Sequence, residues 1–195
     1  RGFSFQSQAP LDMRYNPIEG MNAKDFLNNA EEREISTVIQ ELGEERYHRR
    51  IAAAIYQAAQ SEKMNTTTDL KNAVAKVVHH RFLTKSLARV FQAFRIKIND
   101  ELTALKDALT ASTQWLKTGG RIAVISFHSL EDRIVKQFFR DCALTCVCPK
   151  EYPICICATI PTLHILTRRA VVPGEPEIEK NPRSRSAKLR VAERV

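Results

Sequence analysis

A histidine and a serine directly follow a short apolar segment near the middle of the chain. Residues 121–127 read RIAVISF, and His128 and Ser129 come next. The nearly continuous run with isoleucine and valine predicts a buried strand, and the following LEDRIVKQFFRDC predicts a helix. Ligands of open α/β sheets bind at the carboxyl ends of strands, so His128 and Ser129 are candidates for a functional site. The alternative is structural, with Ser129 capping the helix and His128 as a satisfied turn residue.

Four of the five cysteines form two close pairs, Cys146-x-Cys148 and Cys155-x-Cys157, separated by six residues that include two prolines. Four thiolates in this arrangement could hold one zinc ion, although C-x-x-C is the more common spacing in zinc sites. The other interpretations are reduced cytosolic thiols and disulfides. We expect reduced thiols and therefore no metal. If zinc is present, its role is to fix a loop and not to take part in chemistry.

Basic residues are unevenly distributed. The chain of 195 residues has 30 Lys and Arg against 22 Asp and Glu, a net charge of +8. Residues 81–99 contain five basic side chains and no acidic one, and a second basic cluster lies in NPRSRSAKLR, residues 181–190. Two separated basic clusters suit a polyanion such as nucleic acid, whereas the alternative is a solvated surface.

The segments that precede the His128 and Ser129 pair are predicted to be helical. Asn22 starts a helix whose apolar residues recur at helical spacing until Gly43. A second helix is predicted from about Glu44, and a third after the threonines at 66–68. The strongest signal is the apolar stripe of residues 87–116, which predicts one long amphipathic helix before two glycines.

The carboxyl-terminal part predicts two further strands, LHILTRR at residues 163–169 and AKLRVAE at residues 187–193, joined by a polar loop. This order indicates the second half of an α/β sheet. A parallel-type strand such as RIAVISF, buried on both faces, needs a neighbour on each side, so part of the sheet is expected to be missing. Because the chain opens on Arg1, we expect it to be a piece of a longer protein.

The composition restricts the class of protein. A hydrophobic share of 44% beside 27% charged residues excludes disorder, collagen and coiled-coil fibres. A membrane span is excluded, because no apolar run approaches about 18 residues. The opening residues also lack the pattern of a signal peptide. We therefore expect a cytoplasmic protein with no membrane partner.

Five sequence blocks occur in one order along the chain. They are RGFSF with PLDMRY at 1–15, GEER at 43–46, FQAFRIKINDEL at 91–102, GGRIAVISFHSLEDRIVK at 119–136, and NPRSRSAKLRVAE at 181–193. Together these blocks closely resemble the bacterial small-subunit ribosomal RNA cytosine-N4 methyltransferase family, MraW or RsmH. The resemblance covers essentially all 195 residues.

The resemblance implies a class I S-adenosylmethionine-dependent methyltransferase with a Rossmann-like sheet and a helical insertion. On this basis residues 1–15 end the amino-terminal methyltransferase part, residues 16–85 form an RNA-binding insertion, and residues 86–195 complete the methyltransferase domain. The implied reaction methylates N4 of a cytidine in the decoding region of 16S rRNA, with the small ribosomal subunit as partner. The family's glycine-rich cofactor loop is absent from this sequence, so most cofactor-binding residues are expected upstream of Arg1.

Methylation of a cytosine amine sets requirements on the site. The lone pair of N4 is delocalised into the ring, so the enzyme must orient the reacting atoms and accept hydrogen bonds from the amine. By resemblance, Asp12 is a candidate acceptor, with pairing to Arg14 as its alternative, and Arg14 is assigned to substrate binding. Phe26 could stack on the base or belong to the core. His128 and Ser129 could approach the cofactor or the base.

The basic residues are candidates for RNA contacts. Arg183, Arg185 and Lys188 match the geometry of phosphate recognition, and a basic turn is the alternative. Arg46 and Arg49 could serve in the same way, unless Glu44 and Glu45 hold them locally.

A second hypothesis is a non-catalytic RNA- or ribosome-binding module derived from the family, which would fold without affinity for cofactor. The apolar RIAVISF strand argues against it, because an isolated module would expose that strand's edge. The sequence leaves open which cytidine is modified and whether the protein is a monomer or a homodimer.

Overall fold

The fold is known from a computed structural model, and the structure describes residues 2–61, 64–149 and 154–195. Residues 150–153 of the predicted cysteine loop thus lie outside the described residues. The chain divides into two compact units, Arg1–Glu101 and Leu102–Val195. The sequence analysis placed a domain boundary after residue 85. In the structure, residues 86–101 pack with the first unit. The assignment of functions to domains stays a prediction.

The first unit is helical. Its helices are α1 Ala23–Asn29, α2 Glu32–Gly43, α3 His48–Gln60, α4 Thr67–Ala75 and α5 His80–Asn99. Their apolar faces share one core, which also takes in Leu11 and Met13 from the amino-terminal segment. The backbone N–H of Leu11 donates to the carbonyl of Asn65 at 3.0 Å, and Pro10 bridges to Thr66. The PLDMRY segment is therefore built into this unit.

Local capping signals are confirmed. The side chain of Asn22 accepts a hydrogen bond from the backbone N–H of Asp25 at 2.8 Å and so starts α1. Thr66 starts α4 through a capping box with Asp69. Such caps satisfy backbone N–H groups that have no partner inside the helix.

The expected helix lengths are wrong in three places. The helix expected from Asn22 to Gly43 is interrupted, because Ala30 and Glu31 are extended with ψ of 145° and 154°. Helix α3 begins at His48, since Glu44 has a left-handed backbone with φ of 49° that ends α2. These interruptions turn the chain so that successive apolar faces meet in one core.

The long helix predicted over residues 87–116 is also two helices. Asp100 adopts a left-handed conformation, φ 46° and ψ 43°, which ends α5, and α6 Glu101–Trp115 follows. The Asn99 side-chain amide donates to the carbonyl of Arg95 at 2.8 Å and to that of Met13 at 2.7 Å. A tertiary hydrogen bond to the amino-terminal segment thus accompanies the break.

The second unit combines helices with a small sheet. After α6 come β1 Arg121–Ser126, α7 Ser129–Cys142, β2 Leu163–Ile165, α8 Glu175–Lys180, a 3-10 helix Pro182–Ser186 and β3 Lys188–Arg194. Helix α8 lies where a polar loop was expected. The sheet has three strands in the order β1-β3-β2, and both pairings are antiparallel. Five buried apolar residues form the core between this sheet and helices α6 and α7: Leu109, Val135, Phe139, Leu163 and Ala192.

Strand β1 differs from the expected parallel-type strand with two buried faces. It pairs antiparallel with β3, with Arg121 opposite Glu193, and lies at the edge of the described sheet. Exposed and half-buried residues alternate along it, and Ile125 is 59% exposed. Within the described residues, one face of β1 is therefore uncovered. No helix in the described ranges is long and apolar enough to cross a membrane.

Candidate functional site

Asp12 and Arg14 form a rigid pair in the first unit. Met13 lies between them and is fully buried. Its backbone φ is 61°, a conformation that residues other than glycine rarely adopt. The Arg14 guanidinium binds the Asp12 carboxylate with two hydrogen bonds, Nε to Oδ1 at 2.8 Å and Nη2 to Oδ2 at 2.9 Å. A buried side chain and a bidentate ion pair together hold the unusual turn.

The pairing controls the charge of Asp12. Hydrogen bonds from the Arg14 side chain hold the pKa of the Asp12 carboxyl below its usual range, so it is ionised at neutral pH. Arg14 also donates from Nη1 to the carbonyl of Gly20 at 3.0 Å, which fixes the guanidinium. The Asp12 side chain is 27% exposed, and a carboxylate has about four lone-pair positions. It can therefore accept a further hydrogen bond from an amine.

An exposed aromatic pair, which the sequence analysis missed, adjoins this turn. Phe3 and Tyr15 stack with ring centroids 5.4 Å apart and are 36% and 54% exposed. Asn99 accepts a hydrogen bond from the backbone N–H of Tyr15 at 2.7 Å, and the Tyr15 hydroxyl donates to Glu101 at 3.1 Å. Both aromatic residues belong to the amino-terminal block, and that membership is the signal that could have identified them.

Phe26, expected to stack on a base, lies in the core. It is 6% exposed, packs with its ring centroid 6.2 Å from that of Phe94, and lies 5.7 Å from the ammonium of Lys97. Stacking on a base requires an accessible ring face, so the core alternative applies in this structure. The helical stripe to which Phe26 belongs indicated this outcome.

Arg46 and Arg49 are exposed next to the start of α3. The expected local partner Glu45 is instead buried and pairs with Arg89 of α5 at 3.4 Å between Oε2 and Nη1. Glu45 also accepts a hydrogen bond from the backbone N–H of Tyr47 at 3.0 Å. Glu45 therefore anchors this turn to α5, and the two arginines lie on the surface beside it.

In the second unit, His128 takes the capping role expected of Ser129. The His128 side chain accepts from the backbone N–H of Glu131, and the Glu131 carboxylate accepts from the backbone N–H groups of Phe127 at 2.8 Å and His128 at 3.3 Å. Ser129 is the exposed first residue of α7. Burial opposes ionisation of Glu131, but hydrogen bonds from His128 and Phe127 outweigh it and lower the Glu131 pKa.

The capping box determines what this helix start can bind. The Glu131 carboxylate accepts hydrogen bonds from the backbone N–H groups of Phe127 and His128, which are then not free to bind an anionic ligand. The Nε2 atom of His128 is buried and makes no hydrogen bond within the described residues, although it lies 3.3 Å from Oε1 of Glu131. The second ring nitrogen of His128 thus faces the Glu131 carboxylate and is closed to solvent.

Asp132 organises a buried ionic network that the sequence analysis also missed. It accepts from Arg190 Nε at 2.7 Å and from Lys188 Nζ at 3.2 Å. Asp132 and Arg190 are 9% and 8% exposed. Hydrogen bonds from Arg190, opposed by burial and assisted by Lys188, lower the Asp132 pKa. Lys188, a candidate for RNA contact, thus also pairs with Asp132, and its side chain is 41% exposed, so its role in RNA binding stays a prediction.

Arg183 and Arg185 are exposed on the 3-10 helix before β3. Between them Ser184 is buried and donates from its hydroxyl to the carbonyl of Asn181 at 2.8 Å, which fixes the turn. A groove of about 410 Å³ lies in the same unit, between α7 and β2. Its basic lining residues are Lys136, Arg140, His164, Arg168 and Arg190. The second unit therefore offers two groups of cations for an anionic polymer: Arg183 with Arg185, and the groove residues Lys136, Arg140 and Arg168, since Arg190 is already paired with Asp132.

A model of the MraW methylase family matches residues 1–195. The chain belongs to that family. The resemblance found in the five sequence blocks is thereby confirmed, and the mixed helix and sheet architecture agrees with it.

Several relatives of this MraW family chain are named ribosomal RNA small subunit methyltransferase H. The protein from Geobacter sp. strain M21 is 47% identical over 199 residues, covering all of this chain and 64% of the relative. Those from Dehalococcoides mccartyi strain BAV1 and Syntrophotalea carbinolica are 48% and 49% identical and are covered over 55% and 63% of their lengths. The chain thus spans less than two thirds of these curated relatives.

A methyltransferase family implies a methyl donor, normally S-adenosylmethionine. In this MraW family chain, the turn from β1 into α7 does not offer an open cradle for it. Strand β1 runs into α7 without a glycine, and the α7 amino terminus is closed by the chain's own Glu131. At such a turn, a nucleotide or the methionine part of a cofactor normally accepts hydrogen bonds from free backbone N–H groups.

Proposed function

We propose that the protein is part of an S-adenosylmethionine-dependent methyltransferase that acts on N4 of a cytidine in the decoding region of 16S rRNA. The observation that carries this proposal is the match of the whole chain, at 47 to 49% identity, to relatives named small subunit rRNA methyltransferases. The enzyme would act in the cytoplasm on the small ribosomal subunit or its RNA. Its architecture would be a class I methyltransferase domain with the helical segment 16–85 as the RNA-binding insertion.

Asp12 is proposed to accept a hydrogen bond from the cytidine amine. A cytosine N4 becomes a better nucleophile when an acceptor orients its protons and its lone pair is directed at the methyl donor. Asp12 suits this role because Arg14 keeps it ionised and fixes its position on a backbone held by Met13. Arg14 then acts as the positioning residue, since its guanidinium is already satisfied by Asp12 and Gly20.

The exposed aromatic pair Phe3 and Tyr15 is proposed to hold the flipped base in place of Phe26. A base taken out of its stack needs a flat apolar partner, and the stacked rings present such a surface in the same segment as Asp12. The anchoring of the Tyr15 backbone by Asn99 at 2.7 Å keeps this surface in position relative to the Asp12 turn.

RNA phosphates are proposed to contact Arg46 and Arg49 in the first unit and Arg183 and Arg185 in the second. All four are exposed, and none belongs to a core. The basic groove between α7 and β2 would extend the second group. His128 and Ser129 are proposed to approach the cofactor or the base from the carboxyl end of β1.

The cofactor is proposed to be held mainly by residues outside this chain. Two observations support this: the chain spans 55 to 64% of its relatives, and the turn from β1 into α7 offers no open cofactor cradle. The second of these observations also favours the alternative function, a non-catalytic RNA-binding module. The two hypotheses differ in whether the protein expressed from its complete gene binds cofactor.

The deciding experiment is calorimetric titration of S-adenosylmethionine into the 195-residue chain and into the protein expressed from its complete gene. Binding by the complete protein alone supports the proposal, and detectable methyl transfer by the chain alone would overturn the placement of the cofactor site. Absence of binding by both, with retained affinity for small-subunit RNA, supports the non-catalytic module.

The role of Asp12 is tested separately in the complete protein. Asp12→Asn should lower kcat by at least about 100-fold, the scale on which loss of one polar group at a reacting centre acts. Asp107→Asn, at an exposed position of α6, is the matched control and should leave kcat unchanged. An Asp12→Asn enzyme with normal kcat would refute the assignment.

A further inference from the structure

The four paired cysteines meet in one cluster. Their Sγ atoms all lie within 4.8 Å of one another. The Sγ of Cys155 is 3.4 Å from that of Cys146, 3.5 Å from that of Cys157 and 3.9 Å from that of Cys148. The Sγ atoms of Cys157 and Cys146 are 3.7 Å apart. The two C-x-C pairs, which are separated in the sequence, thus place their four sulfur atoms around one point in space.

These separations match the edges of a metal-centred tetrahedron. With a Zn–S bond of about 2.3 Å, the sulfur atoms of a regular tetrahedral site lie about 3.8 Å apart. We propose that Cys146, Cys148, Cys155 and Cys157 bind one zinc ion in a tetrathiolate site. This proposal takes up the zinc alternative of the sequence analysis in preference to the expected reduced thiols.

The exposure of the intervening residues shows how C-x-C spacing serves a site of this kind. In an extended segment, residues two positions apart point to the same side. Val147 lies between the first two cysteines and is 62% exposed, and Ile156 lies between the second two and is 77% exposed. In each pair, both thiols therefore lie on the side of the cluster, while the middle side chain points away from it to solvent.

Two backbone N–H groups donate hydrogen bonds to the sulfur atoms. The N–H of Val147 donates to Cys157 Sγ at 3.4 Å, and the N–H of Cys148 donates to Cys146 Sγ at 3.4 Å. Such hydrogen bonds to ligand atoms are typical of the outer shell of metal sites, where they orient the ligands and stabilise their charge. The first of them also links the two halves of the cluster.

The surroundings indicate a structural ion. Four protein ligands leave no open position for substrate, which distinguishes structural from catalytic zinc. In the described parts of the connection between α7 and β2, residues 143–149 and 154–162, no residue is buried. A segment without an apolar core needs another source of order, and a bound metal supplies it. The ion would therefore fix this connection between α7 and β2.

The test measures metal directly in the protein expressed from its complete gene and purified without chelator. Elemental analysis should find about one zinc per chain, and X-ray absorption should find four sulfur ligands at about 2.3 Å. Cobalt substitution should give the charge-transfer bands of tetrahedral thiolate coordination. These measurements use the unaltered protein, so they do not depend on the folding of a variant or on methyl transfer.

Single substitutions assign the ligands. Cys148→Ser and Cys155→Ser should each lower zinc content at least about tenfold, because a three-sulfur site binds more weakly. Cys142→Ser is the matched control, since Cys142 packs against the apolar core of the second unit and lies outside the cluster. It should keep its zinc.

Several outcomes would overturn the proposal. They are a metal-free protein with four titratable thiols, two disulfides detected by mass spectrometry, iron in place of zinc, or coordination by nitrogen or oxygen. Equal zinc loss in Cys142→Ser and Cys148→Ser would do the same.

Discussion

Replacement of Asp132 by asparagine tests whether the buried ion pair between α7 and β3 stabilises the second unit. Asp132 accepts from Arg190 Nε at 2.7 Å, from Arg190 Nη2 at 3.3 Å and from Lys188 Nζ at 3.2 Å. The amide of asparagine has nearly the same shape but no charge, and it leaves the Arg190 guanidinium buried without a counter-charge. We expect the free energy of unfolding to fall.

The magnitude follows from burial. Removing one partner of a buried ion pair costs about 3 to 5 kcal/mol, because the other charge stays desolvated. Arg190 is 8% exposed and meets this condition. The Lys188 side chain is 41% exposed and regains water, so its bond adds little. The asparagine oxygen still accepts one hydrogen bond from Arg190, which reduces the expected loss to about 2 to 4 kcal/mol at neutral pH.

The effect has a defined pH dependence. Arg190 and Lys188 lower the pKa of Asp132 in the folded protein, so the unfolded chain takes up the proton first as the pH falls. The stabilisation is therefore complete above the unfolded pKa of about 3.9 and is lost as the pH falls from there through the folded pKa. The difference between the wild type and Asp132→Asn should shrink over that window.

Urea denaturation followed by circular dichroism at several pH values measures this difference. The matched control is Glu193→Gln, which removes a carboxylate 2.8 Å from Arg121. That pair is exposed, with side chains 31% and 67% accessible, and its loss should cost less than about 1 kcal/mol. The reasoning is refuted if the two variants lose equal stability at neutral pH, or if the Asp132→Asn deficit stays constant down to pH 3.

Three further predictions concern RNA binding, the core and capping. Replacing Arg183 and Arg185 together by alanine should reduce the slope of log affinity against log salt by about 1 to 2 in RNA titrations, and an unchanged slope would exclude phosphate contacts there. Phe26→Ala should lower the free energy of unfolding by about 3 to 5 kcal/mol, whereas Phe26→Leu should retain methyl transfer by the complete protein; loss of transfer in a stable Phe26→Leu protein would favour base stacking. Thr66→Ala should cost about 1 kcal/mol in urea denaturation and Thr66→Ser much less, unless the capping box contributes nothing.

The predictions that the structure confirms depend on neighbours in the sequence. Asn22 and Thr66 start helices because their side chains accept N–H groups three residues further along, a contact that is readable from spacing. The breaks within the expected long helices were not readable, because the apolar spacing continues across them. At the break after α5, for example, the Asn99 side chain donates a hydrogen bond to the carbonyl of Met13, which lies 86 positions away in the sequence.

The sequence by itself determined the family, the helical first part, the strand segments and the two groups of exposed arginines. It left the roles of individual side chains open, because one residue type serves several environments. Tertiary structure decided that Phe26 packs in the core, that Lys188 pairs with Asp132, 56 positions away, and that four cysteines meet at one point. The physical reason is that burial and long-range pairing depend on which segments pack together, whereas helix caps and charge clusters depend on adjacent residues alone.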